Sequence, residues 1–316
     1  MSEIRVDPLS GLRTILAPGR AERNADSRDP FAEGNESLTP PELYAVRPGG
    51  GAPDTPGWQV RVVPNRFPAL GGATGPPELD ARPELFSGAP GAGAHEVIVN
   101  SPRDVHSLAE LEPSELELAV DVWRLRMRAH SQAACVHLFV NEGAAAGASR
   151  EHTHAQLLAL EFVPALIARE RERFGAYATR TMGGSLLDDL LAEEVRRRER
   201  LVAIDDDAVV LAPYAATVPY QLMLAPRRPR ARFEDEGGPS GAALLHDALA
   251  RLSRRFDGCP PLNLWVRTAP RGAEHFCWRI DILPRLSEIA ALELGSGVAL
   301  NTITPEQAAS ELRELG

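Results

Sequence analysis

Apolar residues recur at every third or fourth position in the segment that follows Pro113. This spacing predicts an amphipathic helix that begins near Pro113 and packs one face on a sheet. Short apolar and β-branched runs before and after this helix predict strands. They are residues 95–99, which end shortly before Pro102, residues 136–140, and residues 152–156.

The second half of the chain repeats this order of elements. The repeated elements are strands at residues 220–226, 262–266 and 277–283, and a helix at residues 244–256. Pro226 follows Pro102 by 124 positions, and Cys277 follows His154 by 123. A nearly constant offset indicates two copies of one unit.

The duplication predicts the fold class and its division into domains. We predict an α+β fold of two tandem units, each an antiparallel sheet with packed helices. The first unit is expected to span residues 1–175 and the second to span residues 176–316.

The segment between residues 141 and 156 carries the clearest chemical signal. Alternate side chains of a strand share one face, so His152, His154 and Gln156 are expected to point the same way. A histidine there can attack a phosphorus atom, while Gln156 and the Ser149 hydroxyl donate to phosphate oxygens. The preceding glycine and alanine residues predict a loop whose N–H groups bind phosphate. A coincidental histidine pair or a metal-binding pair is the alternative.

The composition narrows the class of protein. All 34 basic residues are arginine, which excludes a Schiff-base enzyme and a Walker-type P-loop because both need lysine. A net charge of −10, with arginine dispersed through acidic sequence, argues against a nucleic-acid partner. The three cysteines form no spaced pair and suit a reducing compartment. The charged start of the chain and the lack of a long apolar run predict a cytoplasmic protein, neither exported nor membrane-inserted.

Residues 141–156 resemble the active-site block of the galactose-1-phosphate uridylyltransferases, a branch of the histidine triad superfamily. Other segments are similar to that family in the same order along nearly the whole chain. They are residues 7–11, 17–23, 34–36, 39–42, 63–70 and 292–297. The resemblance implies that both tandem units are histidine-triad-like. The second unit is expected to be degenerate, because Cys277 and Arg279 replace the counterparts of His154 and Gln156.

The resemblance also implies a mechanism and a set of site residues. His154 matches the family nucleophile, which becomes uridylylated, and a carbonyl next to His152 is expected to hold its other ring nitrogen. Gln156 and Ser149 match phosphate-binding positions, and Glu293 matches a position that holds sugar hydroxyls. The remaining nucleotide- or phosphate-binding candidates are Arg20, Arg23, Asn65, Arg66, Phe67, Asn141, Gly147 and Ala148. In the family such sites lie at a dimer interface, so we expect a homodimer.

The chain departs from the family where the family binds metal. Residues 29–32 replace a Cys-x-x-Cys pair, residues 185–188 replace a second one, and Arg279 ends what is a His-Trp-His elsewhere. Zinc needs about four N, S or O ligands, and alanine or arginine supplies none. We therefore expect no metal cofactor. A three-ligand remnant is the alternative, made of Asp29, His106 and His152.

Three functions fit these observations. The first is a UDP-glucose:hexose-1-phosphate uridylyltransferase, which moves UMP between hexose 1-phosphates by ping-pong chemistry through uridylyl-His154. The second is a phosphorylase or hydrolase of nucleoside-diphosphate sugars in the same superfamily. The third is a non-catalytic nucleotide-sugar binding protein, against which the retained His154, Gln156 and Ser149 argue. All three predict a nucleotide sugar as partner, and the first adds a sugar 1-phosphate.

Overall fold

The computed structural model describes residues 2–22, 28–71, 85–238 and 241–316. Its strands form one sheet of ten strands and another of three, and every pairing in both is antiparallel. The strands are β1 (Glu3–Val6), β2 (Arg13–Leu16), β3 (Tyr44–Val46), β4 (Val60–Pro64), β5 (Ser87–Pro90), β6 (Gly93–Val99), β7 (Cys135–Glu142), β8 (His154–Leu160), β9 (Leu201–Ile204), β10 (Ala208–Leu211), β11 (Leu222–Pro226), β12 (Leu262–Arg267) and β13 (Arg279–Pro284).

Six α-helices lie in the described part of the chain. They are α1 (Pro113–Ala129), α2 (Ala165–Arg180), α3 (Leu186–Arg197), α4 (Ala242–Arg255), α5 (Ala291–Ser296) and α6 (Pro305–Arg313). Helix α1 begins at Pro113 as its sequence predicts, because proline suits the first helical position and Glu112 and Glu115 form a capping box there. Among the described residues, no helix combines the length and the apolar character that crossing a membrane requires.

The order of strands in the large sheet repeats between the two halves of the chain. The order is β3-β4-β6-β8-β7-β12-β13-β11-β10-β9, so β4-β6-β8-β7 is mirrored by β10-β11-β13-β12. The half-sheets meet where β7 pairs with β12, with Asn141 opposite Asn263. The predicted α+β class is confirmed. The predicted division of the chain into residues 1–175 and 176–316 stays a prediction. Residue 175 lies inside α2.

Helices α1 and α4 pack on the large sheet and form the main core with it. The four apolar residues that predict α1 are at most 1% exposed, which is what an amphipathic helix on a sheet requires. They are Leu116, Val120, Trp123 and Met127. The core supports the face of the sheet on which α1 and α4 pack. Strand β8, which begins with His154, lies between β6 and β7.

Candidate active site

The histidine motif lies at the start of β8. His154 is the first residue of this strand, opposite Val99 of β6, and Gln156 lies opposite Val97. His154 and Gln156 therefore share one face of the sheet. His152 precedes the strand, so the expected alternation does not extend to it, and its ring does not line the cavity that the other two side chains line.

The ring of His154 has a defined orientation and protonation. Its Nδ1 lies 2.8 Å from the main-chain oxygen of His152. Because a carbonyl oxygen only accepts, the ring proton is on Nδ1 and the lone pair is on Nε2. Burial lowers the pKa of His154, although the hydrogen bond to His152 opposes this shift. His154 is thus a neutral, oriented imidazole near pH 7, which is the form a nucleophile needs.

The ring of His152 is held on both sides. Its Nδ1 donates to Asp29 Oδ2 at 2.7 Å, and its Nε2 donates to the Ser101 carbonyl at 2.8 Å. Burial alone would lower the pKa of His152, but the hydrogen bonds to Asp29 and Ser101 raise it. Correspondingly, the His152 contact holds the pKa of Asp29 below its ordinary value in spite of burial. His152 therefore acts on the site through its backbone, and its two ring contacts favour the charged form of the ring.

A cavity of about 760 Å³ is lined by His154. One part of its wall is apolar and is formed by Pro30, Phe31, Leu38, Pro40, Val63 and Val97. The polar part is formed by Arg28, Asn65, Arg66, Ser149, Arg150 and Gln156. The described lining holds three arginines and no carboxylate, so the cavity favours an anion such as a phosphate group. The Phe31 ring lies 5.0 Å from the His154 ring, centroid to centroid.

Six of the predicted site residues line this cavity. They are Asn65, Arg66, Phe67, Ser149, His154 and Gln156. Arg20 lies behind it, where its guanidinium donates to the Phe67 carbonyl at 2.7 Å and so supports the cavity wall. Arg23 lies outside the described residues.

Four predicted site residues lie elsewhere in the described chain. Asn141 faces β12, and its side-chain oxygen accepts from Asn263 at 2.8 Å. The N–H groups of Gly147 and Ala148 donate to carbonyls of the same loop, at 2.9 Å and 3.2 Å. Glu293 lies on α5 and accepts from the Ala290 N–H at 3.0 Å, away from the cavity lining.

The glycines before the histidine motif serve the loop's own backbone. Gly143 has φ of 77°, and a Cβ on it would lie 2.9 Å from Cβ of Pro261. Gly147 has φ of 79° and ends a short 3₁₀ turn over Ala144–Ala146. The N–H groups of residues 146–148 are used within this turn. The predicted phosphate-binding role of these N–H groups stays a prediction, and in this structure they donate to carbonyls of their own loop.

A buried hydrogen-bond network supports the histidine motif from the other face. The Glu142 carboxyl accepts from Ser107 Oγ and Leu108 N, both at 2.7 Å, and from Thr153 Oγ1 at 2.9 Å. Thr153 lies between the two histidines, so this network fixes the backbone that carries them. Complete burial raises the pKa of Glu142 to about 7.

One group of side chains in the described part of the chain has the composition and spacing of a possible metal site. Asp29, Asp104 and His152 bring ligand atoms within 4.8 Å of one another, whereas His106, which the sequence suggested, is outside this group. Both His152 nitrogens contact oxygen acceptors in this structure, so a metal would have to replace one of these contacts to bind the ring. The expected lack of a metal cofactor therefore stays a prediction.

The second half of the chain lacks the first half's arrangement at the matching positions. Cys277, which corresponds to His154, is buried and its Sγ contacts the Trp278 carbonyl at 3.7 Å. Arg279, which corresponds to Gln156, is paired with Glu170 and Asp281, each at 3.0 Å. In the second half, the position that corresponds to the cavity-lining Gln156 is therefore occupied by an arginine in ion pairs.

Sequence reasoning missed several residues of the site. Phe31 was not named, and Asp29 was named only in the alternative metal remnant. The hydrogen bond of Asp29 with His152 and the ring contact of Phe31 with His154 become visible only in the fold. Arg28 and Arg150 line the cavity. His95 begins a predicted strand, and its ring contacts two cavity residues. No local pattern distinguishes His95, because Glu96 follows it and residues 95–99 are all buried.

The fold and site define a tandem histidine-triad-like protein in which the first unit directs a histidine into a cavity. The family model described as the N-terminal domain of galactose-1-phosphate uridyl transferase matches residues 1–164, which is more than half of the chain. The chain belongs to this family, as a relative without the usual metal-binding cysteines.

Individual relatives cover nearly the whole chain. It is 27% identical to an ADP-glucose phosphorylase of Arabidopsis thaliana, over 99% of this chain and 93% of the relative. It is 29% identical to a probable galactose-1-phosphate uridylyltransferase of Drosophila melanogaster, over 98% and 94% of the two chains. A solved uridylyltransferase superposes with a TM-score of 0.84 at 23% identity, over 99% and 98% of the two chains, which supports the fold. The Arabidopsis thaliana ADP-glucose phosphorylase with bound ADP-glucose gives 0.77 at 26% identity and full coverage of both chains.

Proposed function

We propose that this protein transfers a nucleoside monophosphate from a nucleotide sugar, such as UDP-glucose, to a hexose 1-phosphate through a covalent nucleotidyl-His154. The observation that carries the proposal is the 2.8 Å contact between His154 Nδ1 and the His152 carbonyl, next to a cavity rich in arginine. This contact leaves Nε2 as the nucleophilic atom. A protein that only binds nucleotide sugars has no need of such an orientation.

The first half-reaction needs no proton transfer. The Nε2 lone pair attacks the α-phosphorus, the N–P bond forms, and the P–O bond to the departing hexose 1-phosphate breaks. The ring becomes positively charged, and Nδ1–H shares this charge with the His152 carbonyl. In the second half-reaction a phosphate oxygen of the acceptor attacks the same phosphorus, and the N–P bond breaks.

Charge on the transferred phosphoryl group is stabilised by donors that line the cavity. Gln156 and Ser149 supply neutral donors, and Arg150 supplies a cationic one. The apolar wall around Phe31 and Leu38 suits a flat nucleobase. No metal ion is part of this proposal, because Asp29 takes over the fixing of His152.

A second candidate differs only in the acceptor. Orthophosphate in place of a hexose 1-phosphate would make the protein a phosphorylase that releases a nucleoside diphosphate. Similarity to the Arabidopsis thaliana ADP-glucose phosphorylase favours this candidate. The position of Glu293 outside the cavity of its own chain also favours it, because the described lining then offers no carboxylate to hold an acceptor sugar.

The transferase candidate requires Glu293 to reach a sugar from another copy of the chain, and we propose a homodimer for this reason. The segment around α5 exposes large apolar side chains that a second copy would cover. They are Leu292, Leu294, Val298 and Leu300. The molar mass in solution, measured by light scattering, tests the proposal, and a monomer at micromolar concentration would contradict it.

A burst experiment tests the proposed mechanism. Without an acceptor, one equivalent of hexose 1-phosphate per chain should be released rapidly from UDP-glucose or ADP-glucose, because each His154 accepts one nucleotide. Steady release of free sugar together with nucleoside diphosphate, without a burst, would mean that a different bond is broken. His154→Asn is the matched control and should show no burst.

A further inference from the structure

We propose that His95 is a positioning residue, which fixes the side-chain amide of Gln156 so that its NH₂ group faces the cavity. The consequence for catalysis rests on the proposed function, whereas the orientation itself rests on hydrogen-bond geometry alone. His95 is buried on β6, one strand away from the histidine motif. Neither its burial nor its strand position by itself would indicate a role in the site.

The backbone selects the tautomer of His95. The Ala69 N–H donates to His95 Nδ1 at 2.9 Å, so Nδ1 is an acceptor and carries no proton. In a neutral imidazole the proton must then be on Nε2. The tautomer is therefore set by a main-chain group.

Two amide side chains lie within hydrogen-bond distance of His95 Nε2. Gln156 Oε1 lies 3.2 Å away and Asn65 Nδ2 lies 3.1 Å away. An amide nitrogen cannot accept a hydrogen bond, so of these two side chains Gln156 is the one that accepts. Turning the Asn65 amide over would not help, because Asn65 Oδ1 already accepts from the Phe67 N–H at 2.9 Å. His95 therefore holds Gln156 by its oxygen.

The orientation of Gln156 decides what the cavity presents to a phosphate. With Oε1 bound to His95, the two N–H bonds of Gln156 Nε2 are the polar groups left to face the lining that Gln156 shares with His154. The reverse orientation would place oxygen lone pairs toward the phosphate oxygens and repel them. His95 thus determines whether Gln156 stabilises or destabilises charge on the transferred group, without touching that group itself.

A double-mutant cycle tests the catalytic part. His95→Leu should slow nucleotidylation of His154 by about 10- to 100-fold, the scale of losing one preorganised donor. His95→Gln, whose amide nitrogen can replace Nε2–H, should recover most of the rate. In a Gln156→Ala background, His95→Leu should cost less than about 2-fold, because its partner is gone. An equal cost in both backgrounds would mean a merely structural role and overturn the proposal.

Nitrogen NMR of the histidine rings tests the orientation independently of turnover. The two-bond ¹H–¹⁵N spectrum of the whole protein, with His95 assigned by its loss in His95→Gln, should show a protonated Nε2 and an unprotonated Nδ1. A protonated Nδ1 would overturn the inference even if the enzyme is active. If no sugar nucleotide modifies the wild-type protein, the proposed function fails and the catalytic role falls with it, whereas the NMR result still decides the orientation.

Discussion

Asp29 Oδ2 lies 2.7 Å from His152 Nδ1, so a carboxylate near the start of the chain holds the residue whose carbonyl orients His154. The two partners are 123 residues apart in sequence. Their pKa shifts agree in sign, since the pKa of Asp29 is lowered and that of His152 is raised. A charge-assisted hydrogen bond therefore fixes the His152 ring from the Asp29 side.

Asp29→Asn is expected to slow nucleotidylation of His154 and to destabilise the fold by about 2 kcal/mol, the scale of a hydrogen bond to a charged group. The raised pKa of His152 means that its stabilising charge is complete below pH 6.5 and is lost as pH rises through the raised value. The lowered pKa of Asp29 makes its contribution disappear as pH falls below 3.8. Thermal melts between pH 5 and 9 should therefore show wild type and variant converging as pH rises.

Asp104→Asn is the matched control for Asp29. The Asp104 carboxylate lies near Asp29 and His152 but is 73% exposed, and it contacts His106 at 3.4 Å. It should leave both the rate and the melting temperature nearly unchanged. Equal effects of the two substitutions would mean that the loss of a negative charge near His152 causes them. The hydrogen bond of Asp29 would then have no specific role.

Glu142→Gln is expected to flatten the dependence of stability on pH. The pKa of Glu142 is raised from 4.5 to about 7, so between these values the folded protein keeps a proton that the unfolded chain has lost. The free energy of unfolding should therefore fall as pH rises through this window, by about 3 kcal/mol in total. Urea unfolding at pH 5, 6, 7 and 8 measures this slope. Glu151→Gln, at a carboxylate that is 87% exposed, is the control that should keep the wild-type slope.

The secondary structure and part of the site were predictable because they depend on local patterns. Helical spacing after Pro113 identified α1, and strand alternation placed His154 and Gln156 on one face. Strand alternation failed for His152 because β8 begins two residues later. The sequence could not specify the backbone of the Gly147 loop, because glycines that permit an anion-binding loop also permit a turn whose N–H groups donate within the loop.

Contacts between distant segments were not predictable from one sequence. The link between Asp29 and His152 and the contact between His95 and Gln156 join residues with no common periodicity. The ten-stranded sheet depends on the pairing of β7 with β12, which a duplication alone does not specify. These features follow from tertiary packing, for which local patterns carry no signal.

Elemental analysis of the purified protein is expected to find far less than one zinc or iron per chain. A chelator should leave the melting temperature and the rate unchanged. Removing a metal ion changes the stability of a protein only if the folded protein binds that ion. Stoichiometric metal whose removal lowers the melting temperature would mean that Asp29, Asp104 and His152 bind an ion after all.

The acceptor can be identified by discharging protein that has first been charged with a nucleotide sugar. Under the transferase proposal, galactose 1-phosphate should remove the nucleotide much faster than water does. Glu293→Gln should slow this step more than it slows charging, because a sugar ligand acts only when the acceptor is in place. Faster discharge by orthophosphate, with release of a nucleoside diphosphate, would instead establish the phosphorylase candidate.

The mass of the intact protein after incubation with UDP-glucose or ADP-glucose tests the central claim most directly. We expect an acid-labile addition of one nucleoside monophosphate in the wild-type protein and in Cys277→Ser, and none in His154→Ala. The buried Cys277 is the corresponding position of the second unit, so it controls for modification outside the cavity. A wild-type protein that stays unmodified, or a His154→Ala protein that is modified equally, would contradict catalysis through His154.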